Sequence, residues 1–136
     1  MRRELPGGYE LDDDRGRIDL DAVHAFIGGE SYWAKGRSRE RMAAAIDGAA
    51  RVIGLYKGQS QVGFARVISD SATYAYLADV YVLDAHRGHG LGVELIRMAV
   101  EGEPWSDMSW HLRTRDAHAL YEKFGFRPAS ERSLER

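Results

Sequence analysis

A strand pattern runs through a glycine-rich turn directly into a helix pattern in the second half of this chain of 136 residues. The stretch ATYAYLADVYVL (72–83) is long, aromatic and β-branched, which is typical of a central strand. DAHRGHG (84–90) follows it, and a partly apolar stripe then indicates a helix from about Leu91 to Glu101. The passage therefore predicts a sheet with a strand that ends beside the first turn of a helix.

Such a junction is suited to binding an anion through the backbone. The first N–H groups of a helix have no partner within the helix, and the helix dipole adds positive potential there. Gly88, Gly90 and Gly92 carry no Cβ that would hold a phosphate away from the backbone, and Arg87 could add a bidentate contact. The stretch fits neither a Walker A loop nor a dinucleotide fingerprint. Taken alone, it could also be a flexible turn before a surface helix.

The rest of the chain predicts the element order β-α-α-β-β-β-α-β-α-β, which indicates a mixed sheet with helices on its faces. Asp19 and Ser38 are placed to cap the first two helices, and Gly58-Gln59-Ser60 indicates a hairpin. The further predicted strands are GGYELDDD (7–14), ARVIGLYK (50–57), QVGFARVIS (61–69), SWHLRT (109–114) and FRPASER (126–132). The further predicted helices are DLDAVHAFIGG (19–29), RERMAAAIDG (39–48) and AHALYEKFG (117–125).

Composition narrows the classes of function. The net charge is −2 and no dense Lys/Arg stripe is present, which argues against nucleic acid as the main partner. Without cysteine there is no disulfide, thiolate metal site or cysteine nucleophile, and no histidine pair has metal-ligand spacing, so no metal is expected. No apolar run suits a signal peptide or a membrane span. We expect one cytoplasmic domain over residues 1–136.

Two motifs carry a resemblance to a known family. RGHGLG (87–92) fits the pattern Arg/Gln-x-x-Gly-x-Gly/Ala directly behind a long strand. LRTRDAHALYEKFGFRP (112–128) is similar to a strand followed by Asn/Asp-Ala and then Leu-Tyr-x-x-x-Gly-Phe. In this order and at this separation, the motifs resemble those of the GNAT family of N-acetyltransferases. The matching segments lie between Val62 and Pro128, and the first 48 residues carry no family signature.

The resemblance implies an α/β (α+β) fold of the GNAT acyl-CoA N-acyltransferase type. Its mixed, mostly antiparallel sheet would have six or seven strands with a splayed parallel pair, flanked by about four helices. Acetyl-CoA, as co-substrate, would lie between the splayed strands ATYAYLADVYVL and SWHLRT. Asp116, where the family often has Asn, would reach the pantetheine or a bridging water. The resemblance further implies pantetheine pairing by the backbone of Val80, Tyr81 and Val82, and pyrophosphate binding by the N–H groups of Arg87, Gly88, His89, Gly90, Leu91 and Gly92.

The resemblance also implies direct acetyl transfer, with Tyr121 as the general acid that protonates the departing thiolate. The alternative is that Tyr121 is only a core aromatic. Direct transfer needs a neutral amine, and Asp79, an acid within an apolar strand, is the candidate base or substrate anchor. Alternatively, Asp79 faces solvent or pairs with an arginine such as Arg66.

The acceptor site is less defined by the sequence. Tyr32 and Trp33 lie in the loop between the first two helices and could form a wall with cation–π contact to an ammonium. They could equally fold under the loop as a lid on the core. His111, in the fifth predicted strand, could line the cleft.

Together these features predict an acetyl-CoA-dependent N-acetyltransferase that acts through a ternary complex on a primary amine, either of a small molecule or as an exposed amino group. The alternative is a CoA-binding sensor or interaction module without transfer activity, which would need neither Tyr121 nor Asp79. The expected partners are acetyl-CoA and the amine, with no nucleic acid, membrane or metal. A homodimer is compatible with the resemblance, since family members commonly dimerise.

Overall fold

The computed structural model describes all residues from Met1 to Arg136. Six strands form one sheet in chain order, and every neighbouring pair is antiparallel except the last, which is parallel. This confirms the expected mixed sheet with one parallel pair. The strands are β1 (Arg2–Leu5), β2 (Tyr9–Asp12), β3 (Arg51–Lys57), β4 (Ser60–Ser69), β5 (Tyr74–Val82) and β6 (Ser109–His111).

Four α-helices accompany the sheet, at the predicted positions: α1 (Leu20–Gly29), α2 (Arg39–Gly48), α3 (Leu91–Val100) and α4 (His118–Glu122). The Asp19 carboxylate accepts a hydrogen bond from the Ala22 N–H at 3.1 Å, which caps α1 as predicted. Ser38 caps α2 in the same way through the Arg41 N–H. No helix combines the length and the apolar character that crossing a membrane requires.

The helices cover the two faces of the sheet separately. α3 packs its apolar side, which includes Leu95 and Ile96, against one face. α1 and α2 cover part of the other face, where Phe64 and Tyr81 of the sheet are buried. Burial of these two layers excludes water from the centre of the sheet and fixes the direction of β5, the strand that leads to the glycine-rich turn.

β5 and β6 pair only over their first three residues. The parallel ladder ends at Tyr76 opposite His111, whereas β5 continues to Val82. The C-terminal half of β5 is therefore paired with β4 on one edge and has no strand on the other. This is the splayed parallel pair that the resemblance implied.

Two strand predictions are wrong. The predicted strand at 7–14 is shortened to β2, and a strand that was not predicted, β1, pairs with it through a turn at Gly7 and Gly8, both with positive φ. The predicted last strand at 126–132 is not formed. Pro128 has no N–H to donate, and β6 is only three residues long, so a further strand would have little to pair with.

Candidate active site

A cleft of about 810 Å³ opens where β5 and β6 diverge. It brings together most of the side chains and backbone segments that the sequence singled out. Among its lining residues are Tyr32, Trp33, Asp79, Val80, Tyr81, Val82, Arg87, Gly88, Gly90, Leu91, Gly92, Asp116 and Tyr121. Two predicted residues, His89 and His111, are not part of this lining.

A β-bulge shapes the cleft wall in the middle of β5. Phe64 pairs with Tyr81 and Arg66 pairs with Ala78, so two residues of β5, Asp79 and Val80, stand opposite one residue of β4. Asp79 has φ 55°, in the left-handed region that few residues other than glycine adopt. The bulge turns the Asp79 carboxylate into a buried position beside the cleft, with 5% of the residue exposed.

The glycine-rich turn offers a row of unpaired backbone donors. The N–H groups of Gly88, His89 and Gly90 make no hydrogen bond within the protein. Those of Leu91 and Gly92 lie in the first turn of α3, where no helical partner exists. A row of free N–H groups at a helix N-terminus is suited to binding an anion such as a pyrophosphate.

Glycine is required at two of these positions for its backbone conformation, since Gly88 has φ 86° and Gly90 has φ 71°. At Gly92 the reason is different. A Cβ there would meet no protein atom within 4 Å, so packing within the chain does not explain the missing side chain.

Arg87 makes contacts within the chain that differ from the predicted contact with a phosphate. Its N–H already donates to the Asp84 carbonyl at 3.2 Å, because residues 84–86 form a short 3₁₀ turn. Its Nε–H donates to the Val82 carbonyl at 3.0 Å, and its Nη1 lies 2.5 Å from the Asp84 carboxylate. The Arg87 N–H is therefore occupied within the chain, and the free donors begin at Gly88. A contact of Arg87 with a pyrophosphate stays a prediction.

A contact from the N-terminal hairpin supports this turn. The Tyr9 hydroxyl and His86 Nδ1 are joined by a hydrogen bond of 2.8 Å, and the two rings meet edge to face. The His89 ring also lies near Tyr9, with 6.2 Å between ring centroids. No sequence pattern predicts this contact, since 77 residues separate Tyr9 from His86.

Tyr121 on α4 lines the cleft, and its hydroxyl makes no hydrogen bond with the protein. Burial and, to a lesser extent, the neighbouring Tyr32 raise the pKa of Tyr121 to about 12. The phenol is consequently protonated at neutral pH and free to donate to a ligand. Asp116, in the loop before α4, is largely exposed, with Arg115 Nη2 at 3.8 Å as its charged neighbour.

Asp79 has three side-chain donors around it. Arg66 Nε and Arg37 Nη1 each donate to Oδ2 at 2.8 Å, and Trp33 Nε1 donates to Oδ1 at 2.9 Å. Burial alone would raise the pKa of Asp79, but attraction to Arg66 and the hydrogen bonds from Trp33 and Arg66 outweigh it and hold the pKa below its usual range. Of the alternatives considered above, the pair with Arg66 is present, and a carboxylate so held is a poor proton acceptor.

The two aromatic residues of the α1–α2 loop are anchored to opposite sides of the cleft. Trp33 bonds to Asp79, whereas the Tyr32 hydroxyl accepts the Arg115 N–H at 2.9 Å. The Arg115 guanidinium also lies over the Tyr32 ring, 3.9 Å from its centroid. That face of Tyr32 is therefore already in a cation–π contact within the protein.

His111 lies elsewhere. Its ring packs near Tyr74, with centroids 5.3 Å apart, and it lines a second, open cleft of about 1300 Å³ between α3, β6 and the C-terminal segment. The predicted place of His111 in the acceptor site is not supported, because β6 directs it away from the splayed half of β5.

Arg37 is a cleft residue that the sequence did not reveal. It lies in the loop before α2, and its carbonyl accepts a hydrogen bond from His24 Nε2 at 2.9 Å. Gly28 lets the loop approach, since a Cβ there would lie 2.7 Å from the same carbonyl oxygen. No local sequence pattern identifies Arg37, because its position depends on contacts between α1 and the loop.

Comparisons with known proteins agree with this geometry. A family model for the acetyltransferase (GNAT) domain matches residues 48–128. A protein of Gibberella zeae named as a candidate acetyltransferase is 28% identical over 149 aligned positions, which cover 92% of this chain and 82% of that protein.

Solved structures share the fold. A crystal structure of a candidate acetyltransferase of the GNAT family from Xanthomonas campestris pv. campestris has a TM-score of 0.91 and 34% identity, covering 98% of this chain and 94% of that chain. A candidate acetyltransferase from Deinococcus radiodurans R1 has a TM-score of 0.75 at 22% identity, covering 100% and 94%. The second similarity concerns the fold alone.

Proposed function

Because this chain belongs to the GNAT family of acetyltransferases, we propose that it transfers an acetyl group from acetyl-CoA to the nitrogen of a primary amine. One observation carries the proposal. The unpaired edge of β5 leads directly to the unpaired N–H groups of Gly88 to Gly92, and both border one cleft. An elongated ligand with an amide-containing arm and a phosphate end is complementary to that sequence of donors and acceptors.

The residues for acetyl-CoA fit the surfaces that the fold leaves open. The backbone of Val80 and Tyr81 would pair with the pantetheine arm along the free edge of β5. The Val82 carbonyl already accepts a hydrogen bond from Arg87 Nε, so it has less capacity to accept one from the pantetheine arm. Gly88, His89, Gly90, Leu91 and Gly92 would hold the pyrophosphate through their N–H groups, and Asp116 would contact the arm from the opposite side of the cleft.

In the transfer, the lone pair of the amine nitrogen forms a bond to the thioester carbonyl carbon, and the carbon–sulfur bond breaks. Tyr121 donates its phenolic proton to the departing sulfur and recovers a proton from water. With its pKa raised to about 12 by burial, the Tyr121 phenol carries its proton at neutral pH. The amine loses its extra proton to solvent, and we assign no base to the chain, since Asp79 is already held by three donors.

The test is release of free CoA thiol from acetyl-CoA, measured with and without a panel of primary amines. Amine-dependent release, with acetylated amine identified by mass spectrometry, would support the proposal. Tight acetyl-CoA binding without release for any amine would instead support a CoA-binding module, the alternative that the sequence left open.

A further inference from the structure

The part of the cleft farthest from the glycine-rich turn is lined by a carboxylate that holds two guanidinium groups. Arg66 on β4 and Arg37 from the loop before α2 both donate to Oδ2 of Asp79. One negative charge therefore faces two positive charges. The other arginines of the cleft lining are paired with carboxylates: Arg87 with Asp84, Arg113 with Glu135 and Arg115 with Asp116.

Arg66 has donors left over. Only its Nε is hydrogen-bonded, and neither terminal nitrogen has a partner within the protein. Its side chain is only 11% exposed, but neither terminal nitrogen is fully enclosed, so both remain accessible from the cleft. A guanidinium presents a planar fork that matches the oxygens of carboxylate or phosphate.

Arg37 repeats this pattern. Its Nη1 donates a hydrogen bond to Asp79 and lies 3.6 Å from the Met42 sulfur. The other two nitrogens, Nε and Nη2, have no hydrogen-bond partner within the protein. Asp79 therefore fixes one edge of each guanidinium and leaves the remaining donors available. A pair of oriented, partly desolvated guanidinium groups with a net positive charge is an anion site.

The anionic end of acetyl-CoA does not account for these donors. Arg66 pairs with Ala78, whereas the glycine-rich turn begins after Val82. Four strand residues correspond to about 13 Å. The pantetheine arm that would cover this distance is uncharged, so it brings no anion to Arg66. The walls beside the arginines include Trp33 and Ile68, which lowers the local dielectric and strengthens a charge interaction.

From this arrangement we infer that the acceptor is an amine that also carries an anionic group, either a carboxylate or a phosphate, which binds to the free donors of Arg66 and Arg37. The inference rests on the proposed acetyltransferase function and names the class of its second substrate. Arg66 and Arg37 are specificity-determining residues in this account, and Asp79 is a positioning residue that acts through them.

The experiment compares matched pairs of amines in the thiol-release assay. Phenylalanine is compared with phenethylamine, and O-phosphoethanolamine with ethanolamine, so the two arms separate carboxylate from phosphate. We expect kcat/KM for the anionic member of at least one pair to exceed that of its neutral partner about ten-fold or more, as expected for a charge-assisted hydrogen bond. Each rate is compared at equal concentration of unprotonated amine.

Arg66→Gln should reduce that ratio to within about three-fold while the Kd of acetyl-CoA stays unchanged, because the lost donors face only the acceptor. Arg41→Gln is the matched control, since Arg41 is exposed on α2 and its side chain makes no polar contact. It should leave the ratio unchanged. Should Arg66→Gln fold poorly, Arg37→Gln provides the same test, and Arg66→Lys should retain part of the preference.

Thermal stabilisation provides a readout that does not need turnover. The acetylated product of the preferred anionic amine should stabilise the wild type more than the acetylated product of its neutral partner, and Arg66→Gln should remove the difference. Amine-dependent turnover with equal kcat/KM for both members of both pairs would overturn the inference while leaving the acetyltransferase proposal intact. No thiol release with any amine would overturn both.

Discussion

The hydroxyl of Tyr9 and Nδ1 of His86 lie 2.8 Å apart and join the N-terminal hairpin to the turn before α3. This bond connects a segment without a family signature to the proposed phosphate site. Tyr9→Phe keeps the ring and removes the bond. We expect a loss of about 1 kcal/mol in the free energy of unfolding and a several-fold increase in the Kd of acetyl-CoA, measured by calorimetry. An unchanged Kd would mean that the turn keeps its conformation without Tyr9.

Gly90→Glu tests the phosphate site itself. The new carboxylate would stand among the N–H groups that the pyrophosphate needs, and repulsion between like charges would oppose binding. We expect acetyl-CoA to lose its stabilising effect in a thermal melt.

The matched control for that variant is Gly102→Glu. Gly102 also has positive φ, at 83°, and open space around it, but it follows the C-terminal end of α3, whereas Gly90 precedes the N-terminal end. The control variant should have the same backbone strain, and acetyl-CoA should still stabilise it in a thermal melt. An equal response in both glycine variants would contradict the assignment of the turn.

Much of this arrangement was predictable, because the backbone motifs are local. The strand, the glycine-rich turn and α3 follow one another in the chain, so turn chemistry and periodicity identify them together. The group around Asp79 was predictable only in part. Arg66 lies one hairpin away on β4 and could be named as a partner, whereas Arg37 reaches Asp79 through a loop whose course depends on His24 and Gly28.

The parts of the fold that were not predicted also depend on contacts between residues that are distant in the chain. β1 was missed because Arg2-Arg3-Glu4-Leu5 carries three charges, and an edge strand needs little apolar alternation when its partner supplies the pairing. Asp12 is buried beside Arg17 at 3.0 Å, a contact that depends on how the chain folds back after β2 and that no local sequence pattern predicts.

Asp79→Asn should destabilise the protein, since two guanidinium groups would lose their counter-charge. Removing one partner of a buried ion pair costs about 3 kcal/mol or more. The pKa of Asp79 is lowered in the folded protein, so its contribution is present above the unfolded pKa of about 3.9 and is lost as the pH falls through the folded value. The difference in Tm from wild type should therefore narrow below about pH 4. Asp47→Asn, at an exposed position without polar contacts, should change neither quantity.

The same variant separates two roles for Asp79. If it positions arginines, the loss in kcat/KM for the amine should be similar at every pH at which the protein is folded. If it were the base, the loss should shrink as the pH approaches the pKa of the amine, about 10 for a lysine-like group, because neutral amine then forms unaided. We expect the first pattern, measured from pH–rate profiles of wild type and variant.

Tyr121→Phe should leave stability and acetyl-CoA affinity close to those of wild type, because the hydroxyl has no hydrogen bond to lose within the protein. The charge on sulfur develops after the ground state, so the hydroxyl should act mainly in the transition state. Ionisation of Tyr121, with its pKa near 12, should not limit the rate of the wild type in the neutral range.

The rate of CoA thiol release by wild type and by Tyr121→Phe, each with and without an amine acceptor, tests the account most directly. We predict release that depends on the amine in the wild type, and a kcat lowered about 10²–10⁴-fold in the variant at unchanged acetyl-CoA affinity. Release in the wild type that does not respond to any amine, or a variant that turns over at the wild-type rate, would contradict it.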